Sequence, residues 1–293
     1  MQKNKELSSK IFDAFNIIGM CVIIFITLYP IIYELAISMS SSKYVQANMV
    51  TFLPKGINMG AYKKVFADRG FWISYKNTVF YTVFGTFINI FFTCTLAFCL
   101  SRKELIGRKP ITFLVMMTMF FSGGIIPNFL VVKWLGLYNT IWAVVLPYAI
   151  NTYNMVIVRT FMVSIPESLV EAVRIDGGND WNLYSRVILP LSKPVIATVG
   201  LFYAVNHWNS YFTPMLYLNE KSLQPLQVIL KEMVVDQNLQ SVAADLADME
   251  QSTPNSDMLI AASIIISLLP IISVYPFLQK YFVKGMMIGS VKG

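Results

Sequence analysis

The chain has 293 residues, of which 56% are hydrophobic and only 13% charged, and its formal net charge is +7. A soluble globular domain carries roughly 25% charged residues, so this composition excludes an ordinary soluble protein and indicates a membrane protein. The lysines and arginines lie between apolar blocks, which is typical of cytoplasmic loops rather than of a surface that binds nucleic acid.

Six apolar segments are long enough to cross a bilayer as helices, since a hydrocarbon core about 30 Å thick needs about 20 helical residues. They are residues 17–39, 75–100, 110–132, 139–163, 194–218 and 258–283. An even number of spans places both termini on one side, and most lysines and arginines then share that side. The sequence predicts an all-α membrane protein of six transmembrane helices, formed as one domain over residues 1–293, with both termini in the cytoplasm.

The first apolar segment raises the alternative of a cleaved signal peptide. It is longer than the apolar core of such peptides, so we interpret it as a retained span. Most spans contain a proline, namely Pro30, Pro127, Pro147, Pro214 or Pro270. Neighbouring helices can satisfy the carbonyls that these prolines free, so kinked spans are expected.

The connection before the last span, residues 219–257, has seven acidic side chains against two lysines. Loops of this length are usually functional or disordered. Two interpretations remain open at this point, a solvated flap with short helices and a docking surface for an extracellular partner.

Sequence motifs of catalysis are missing: there is no G-x-x-x-x-G-K-[ST], H-E-x-x-H or G-x-S-x-G. The single histidine, His207, cannot supply both a base and a metal site. The three cysteines, Cys21, Cys94 and Cys99, lie in apolar segments and are predicted to be small core side chains. Glu34 is the one carboxylate inside a predicted span, which does not favour an ion-coupled carrier or an intramembrane protease. We therefore predict no catalytic residue, metal or cofactor in this chain.

The loop between the fourth and fifth spans, residues 164–193, carries the most specific pattern. Ser164 and Glu167 have capping-box spacing, and Gly177 with Gly178 can end a helix without steric cost, so a helix of about ten residues is predicted. Its apolar side is expected to hold Ile165, Leu169, Ala172 and Val173, and its polar side Glu167, Glu171 and Arg174. A second short helix is expected to begin at Asn179 or Asp180 and to end before Pro190.

Two functions are open for this helix on the residues alone. It is either an ordinary amphipathic helix at the membrane surface or a rigid element that sits in a partner's groove and transmits the partner's movement.

The string from Glu171 to Pro190 resembles the EAA loop of ATP-binding-cassette (ABC) importer permeases, whose pattern is E-A-A-x3-G-x9-I-x-L-P. In this chain, Glu171-Ala172-Val173 is followed after three residues by Gly177 and after nine more by Val187-Ile188-Leu189-Pro190. Val173 and Val187 are the two departures, and both are conservative. Other segments resemble the second of the two permeases in importers of the maltose-type carbohydrate branch of this family. Within that branch, the resemblance is to permeases for complex carbohydrates such as aldouronates and pectic fragments. They are residues 124–127, 135–137, 175–177, 208–211, 225–227, 280–285 and 289–293.

The resemblance implies a type I importer in a bacterial plasma membrane. Such a complex has two homologous permeases, two cytoplasmic ATPase subunits that bind ATP and Mg, and an extracellular sugar-binding protein. The helix in residues 164–193 is then the cytoplasmic coupling helix, and the residues expected to couple to the ATPase are Leu169, Glu171, Ala172, Arg174, Asp176 and Gly177. The alternative function is a stand-alone secondary carrier or channel.

Polar and aromatic side chains fall on one face of two spans at a similar depth, which suggests a carbohydrate pathway. They are Tyr203, Asn206, His207, Ser210 and Tyr211 on the fifth span, and Tyr148, Asn151 and Asn154 on the fourth. Amides and imidazole can replace the water bound to hydroxyls, and tyrosine offers a flat apolar face to a sugar ring. Hydrogen bonding between helices is the alternative. The spans offer no basic site for uronic sugars, which favours a neutral substrate or recognition by the binding protein.

Overall fold

The computed structural model describes residues 2–243 and 255–290, and the side chains of residues 12–235 and 255–274. Regular secondary structure in these residues is entirely helical. The helices are α1 (Gln2–Ser38), α2 (Ser42–Gln46), α3 (Gly60–Ala67), α4 (Arg69–Ser101), α5 (Arg108–Met117), α6 (Ile125–Trp134), α7 (Ile141–Val145), α8 (Thr152–Val163), α9 (Glu167–Ile175), α10 (Asp180–Asn182), α11 (Leu189–Leu191), α12 (Lys193–Trp208), α13 (Phe212–Tyr217), α14 (Leu226–Ala243) and α15 (Ser256–Ser290). A π-helical turn covers Leu183–Ile188, and a 3₁₀ turn covers Lys221–Leu223.

Two compact units make up the chain. One combines the N-terminal part as far as Phe71 with Leu230–Pro270, and the other combines Trp72–Ile229 with the part that begins at Ile271. The predicted pathway residues and the predicted coupling loop, residues 164–193, both lie within Trp72–Ile229. The lysines near the two termini and much of the acidic connection 219–257 lie outside the residues whose side chains are described.

Three helices are long and apolar enough to cross a membrane, namely Phe12–Ser38 within α1, Arg69–Ser101 and Ser256–Val274 within α15. They coincide with the first, second and last predicted spans. The pair Asp180–Leu191 and Lys193–Trp208, which is bent by 77°, makes a fourth if it is taken as one span.

The other predicted spans are interrupted, which corrects the expectation of continuous helices. Residues 110–132 divide into α5 and α6, residues 139–163 into α7 and α8, and residues 194–218 into α12 and α13. Pro147 lies within one interruption, and Pro127 and Pro214 lie in the first turn of the helix that follows each of the others. A proline has no N–H for the carbonyl four residues earlier and its ring crowds that carbonyl, so the helix tends to stop there.

Proline alone does not explain the interruptions, because Pro30 lies inside α1 and Pro270 inside α15. Neighbours that favour non-helical backbone complete the explanation. Gly124 precedes α6 and has φ +84°, a backbone angle that residues with a side chain rarely adopt. Asn151 caps α8 by accepting a hydrogen bond from the backbone N–H of Asn154 at 3.1 Å.

The core of Trp72–Ile229 forms where α8 and α12 pack together. Met155, Val158 and Val199 are buried there, together with Cys94 and Ala97 of α4. The prediction of a core position is thus confirmed for Cys94, but it is wrong for Cys21 and Cys99, which are exposed on α1 and α4. Those helices are apolar around much of their surface, so apolar sequence does not separate core from lipid-facing positions.

Candidate functional site

A cavity of about 890 Å³ lies where the fourth and fifth predicted spans are interrupted. Its wall is formed by the segment between α7 and α8, the start of α8, the end of α12 and the segment that leads into α13. The eight predicted pathway residues all lie in this wall: Tyr148, Asn151, Asn154, Tyr203, Asn206, His207, Ser210 and Tyr211.

The eight side chains differ in how far they are exposed. Tyr203, His207 and Asn154 are buried, with 5%, 8% and 6% of their surface exposed. Tyr148 and Tyr211 are 50% and 43% exposed. Asn151 and Asn206 are also exposed, and Ser210 is half-buried. The buried members therefore build the wall, and the exposed ones offer free surface to the cavity.

Tyr203 makes the interhelical hydrogen bonds that the alternative interpretation anticipated. Its hydroxyl lies 2.7 Å from Oγ1 of Thr93 on α4 and accepts a hydrogen bond from the backbone N–H of Asn151 at 2.9 Å. The Tyr203 hydroxyl thus ties α12 to α4 and to the N-terminus of α8.

Asn89 on α4 also lines the cavity, and the sequence reasoning missed it. Its Nδ2 donates to the carbonyl oxygens of Tyr148 and Ala149 at 2.8 and 2.9 Å, and its Oδ1 lies 2.6 Å from Nε2 of His207. The two carbonyls belong to the interruption after Pro147, where no helix satisfies them. An amide near the middle of a predicted span, on one helical face with Thr86 and Thr93, was the available signal, because polar side chains in a membrane need such partners.

The cavity wall combines amides, hydroxyls, one imidazole and aromatic rings, and its lining residues include no lysine, arginine or carboxylate. Such a surface can hydrogen-bond hydroxyl groups and pack against sugar rings. It offers no cation to a carboxylate.

The predicted helix in residues 164–193 is present as α9, which covers Glu167–Ile175. Gly177 ends it with φ +74°; its N–H donates to the Arg174 carbonyl at 3.0 Å, and that of Gly178 donates to the Val173 carbonyl at 2.8 Å. These two bonds make a Schellman motif, so the glycine stop is confirmed.

Two details of the predicted loop are wrong. Ser164 forms no capping box, because its backbone is α-helical at the end of α8 and its hydroxyl donates to the Phe161 carbonyl at 2.7 Å. The second helix begins as expected after Asn179, whose Oδ1 accepts from the N–H of Asn182 at 2.9 Å. It continues past Pro190 to Leu191, since Pro190 falls in the first turn of α11.

The buried face of α9 is also rotated from the predicted one. Val170, which is 3% exposed, enters the core with Ile165 and Val173 beside it, whereas Leu169 is 40% exposed and Ala172 is exposed too. The residues that point away from the core are Ser168, Leu169, Glu171, Ala172 and Ile175. Within the part of the chain that the structure describes, this mostly apolar surface with one carboxylate is exposed.

Ion pairs connect α9 to the segment that follows α4. Glu104 pairs with Arg174 at 2.7 Å, and Lys103 pairs with Glu167 at 2.6 Å. Hydrogen bonds from its own backbone and from Arg174 lower the pKa of the Glu104 carboxyl below its usual value. The contribution of this pair is therefore present above that usual value and is lost as the pH falls through the lowered pKa. The other predicted coupling residue, Asp176, is exposed at the end of α9.

Comparison with known proteins matches residues 3–288 to the family described as "Binding-protein-dependent transport system inner membrane component". The polygalacturonan/rhamnogalacturonan transport system permease protein YtcP of Bacillus subtilis (strain 168) is 40% identical over 288 residues, which cover 98% of this chain and 100% of YtcP. Protein LplC of the same organism is 41% identical over 286 residues, covering 98% and 96% of the two chains.

A solved structure with the same fold comes from a bacterial ABC transporter involved in the import of the acidic polysaccharide alginate. The matching chain is 38% identical, with a TM-score of 0.86, and the match covers 94% of the present chain and 98% of the other.

Proposed function

The chain belongs to the family of inner-membrane components of binding-protein-dependent transport systems, and we propose that it forms half of the translocation pathway of an ABC importer for an oligosaccharide or complex carbohydrate. The observation that carries the proposal is the cavity of about 890 Å³, in which polar and aromatic side chains of two broken spans meet. The relatives that are named for polygalacturonan, rhamnogalacturonan and alginate support a carbohydrate as the substrate.

The proposed topology has six spans, with both termini and α9 in the cytoplasm. Three unbroken apolar helices account for spans one, two and six, and the divided segments account for the others. Interrupted helices are compatible with a membrane where the freed carbonyls find partners inside the protein. The hydrogen bonds from Asn89 to the carbonyls of Tyr148 and Ala149 are partners of this kind.

The proposed partners are a second homologous permease, two ATPase subunits that bind ATP and Mg, and an extracellular sugar-binding protein. In this arrangement α9 is the coupling helix, and its outward face, with Glu171, Leu169 and Ala172, occupies a groove of the ATPase. The connection to α8 is short, because α9 begins soon after α8 ends, and α9 is joined to α12 through α10, the π-helical turn and α11. Both α8 and α12 carry cavity residues.

Alternating access follows from this connection. When ATP closes the two ATPases, their grooves carry the two coupling helices together, and the spans attached to those helices rock so that the cavity opens outward. This chain supplies half of the pathway and the coupling helix α9, and the ATPases supply the energy.

Reconstitution into liposomes tests the proposal. The complex of both permeases and both ATPases, with the loaded binding protein outside, is expected to accumulate labelled oligosaccharide only when ATP is present. Uptake by this chain alone, driven by an ion gradient, would establish a secondary carrier instead. A panel of neutral and uronic oligosaccharides identifies the substrate by its stimulation of ATP hydrolysis.

A further inference from the structure

The imidazole of His207 lies in a socket on α4. Gly85 and Asn89 are one helical turn apart, and a Cβ at Gly85 would lie 2.6 Å from both Cε1 and Nε2 of His207. Any larger residue at position 85 would therefore displace the ring. Asn89, which is 1% exposed, closes the socket with its hydrogen bond to Nε2 at 2.6 Å.

The hydrogen bonds of Asn89 fix which nitrogen of His207 carries the proton. Backbone carbonyls only accept, so the Nδ2 group of Asn89 must face the oxygens of Tyr148 and Ala149. Its Oδ1 then faces His207 and needs a donor, which makes Nε2 the protonated nitrogen. The cavity lining includes no carboxylate to stabilise a cationic ring, and a buried unpaired charge is costly, so the ring is neutral. In a neutral Nε2–H imidazole, Nδ1 is a pure acceptor.

Accordingly, we propose that Asn89 is a positioning residue that holds His207 as the Nε2–H tautomer, so that Nδ1 accepts a hydrogen bond from a hydroxyl of the carbohydrate in the cavity. The inference rests on the proposed function, because it names a contact within the proposed pathway. Nε2 is the ring nitrogen that forms a hydrogen bond within the described part of the chain, and His207 lines the cavity. A hydroxyl donor matches a neutral acceptor on a wall without charges.

The same amide links the contact to the broken span. Asn89 holds the carbonyls of Tyr148 and Ala149 with one end and His207 with the other. Tyr148 is itself a cavity residue, half exposed. Any movement of the interruption between α7 and α8 therefore acts on the orientation of His207.

Nitrogen NMR can observe this state directly, because His207 is the chain's single histidine. The chain is labelled with ring-¹⁵N histidine and assembled with unlabelled partners, without a histidine tag on this subunit. We expect the Nε2–H tautomer in the wild type and a shift of the Nδ1 resonance when the loaded binding protein and ATP are added. An Nδ1–H or cationic ring, or an Nδ1 resonance that ignores the sugar during active transport, would overturn the inference.

Gly85→Ala tests the socket while leaving Asn89 in place. The added methyl displaces the ring, and alanine is a better helix former than glycine, so α4 itself is not weakened. We expect a mixture of tautomers and reduced uptake. Gly19→Ala is the matched control, because a Cβ at this helical glycine meets nothing within 4 Å. Wild-type NMR and uptake for Gly85→Ala would contradict the socket.

A pair of His207 variants separates the two nitrogens. His207→Gln can keep a donor near the Nε2 position but has no acceptor at Nδ1, whereas His207→Asn can keep an acceptor near Nδ1. With the binding protein saturated, His207→Gln is expected to lower uptake about fivefold, the usual effect of one hydrogen bond, and His207→Asn to lower it less. His207→Gln should also abolish discrimination against one analogue of the substrate. This analogue is the one, among a set that each lack a single hydroxyl, that the wild type transports worst. Retained discrimination in His207→Gln argues against the contact, whereas a wild-type complex without ATP-dependent uptake argues against the proposed function itself.

Discussion

Arg174 on α9 donates a hydrogen bond through Nη2 to Oε1 of Glu104 across 2.7 Å. Glu104 lies in the segment that follows α4, so this ion pair joins the proposed coupling helix to the helix that carries Asn89. Lys103 and Glu167 form a second pair with the opposite order of charges, 2.6 Å apart, at the first residue of α9. The proposed coupling helix therefore contacts the segment that follows α4 through two ion pairs, besides its covalent link to α8.

Reversing the charge of Glu104 is expected to weaken coupling. Glu104→Arg places two guanidinium groups together, and we expect uptake per ATP hydrolysed to fall about two- to fivefold, a modest effect because exposed ion pairs contribute little. Adding Arg174→Glu to this variant should recover much of the loss. Uptake and ATP hydrolysis measured together in liposomes give the ratio.

The second ion pair provides the control for that experiment, because Arg174 is also predicted to face the ATPase. Lys103→Glu combined with Glu167→Lys should behave like the wild type, while each single change lowers the ratio. If the double variants are no better than the single ones, the ion pairs do not position α9.

Substitutions of two cavity tyrosines, Tyr203 and Tyr211, are expected to have different effects, one on stability and the other on uptake. Tyr203→Phe removes the hydroxyl that bonds Thr93 and the N–H of Asn151, so it should cost about 1–2 kcal/mol of stability. Tyr211→Ala removes an exposed ring, so it should lower uptake severalfold with little change in stability. Thermal denaturation of the detergent-solubilised complex, together with uptake, measures both effects. An unchanged thermal midpoint for Tyr203→Phe would show that the Tyr203 hydroxyl does not stabilise the fold.

Asn139 forms hydrogen bonds to the segment after α13, and its substitution is expected to lower the thermal stability of the protein. Its Oδ1 accepts from the backbone N–H groups of Asn219 and Glu220, both at 2.9 Å, and its backbone has φ +59°. Asn139→Ala loses both bonds and strains the backbone, at a cost of about 2–3 kcal/mol. Asn139→Asp keeps the acceptor, whereas Asn139→Gly loses both bonds but avoids the backbone strain, so the expected order of thermal midpoints is Asp, Gly, Ala. Equal midpoints for alanine and aspartate would contradict this assignment.

Polar side chains are rare in this apolar chain, and those that the sequence groups by helical period meet in one cavity wall, while their role in a substrate pathway stays a prediction. Tyr203, His207 and Tyr211 were grouped by that period, and all three lie in one wall. Asn89 was missed although Thr86 and Thr93 share its face of α4, because threonine hydroxyls can bond to carbonyls of their own helix and such a face does not by itself indicate a cavity. Its partners are carbonyls of the backbone, which no side-chain pattern reveals.

The rotation of α9 was mispredicted for a different reason. Apolar residues lie on two of its faces, since Val170 and Val173 pack on the core while Leu169 and Ile175 remain exposed. A hydrophobic period alone cannot choose between two such faces. An exposed apolar face beside a buried one is typical of a helix with a further partner.

Breaks in the spans were predicted only as kinks. Pro30 and Pro147 look alike in sequence, yet the helix continues at the first and stops at the second. At the second, Asn89 donates hydrogen bonds to two of the carbonyls that the break exposes, and the sequence alone does not reveal such a partner.

Glu171 permits the most direct test of the claim that a partner's ATPase drives this chain through α9. In the reconstituted complex, Glu171→Lys is expected to abolish the stimulation of ATP hydrolysis by the loaded binding protein and to reduce uptake to background, with normal insertion of the chain. Asp13→Lys, the same charge reversal at an exposed residue of α1, serves as the control and should leave both activities unchanged. Wild-type stimulation and uptake in Glu171→Lys would contradict the account.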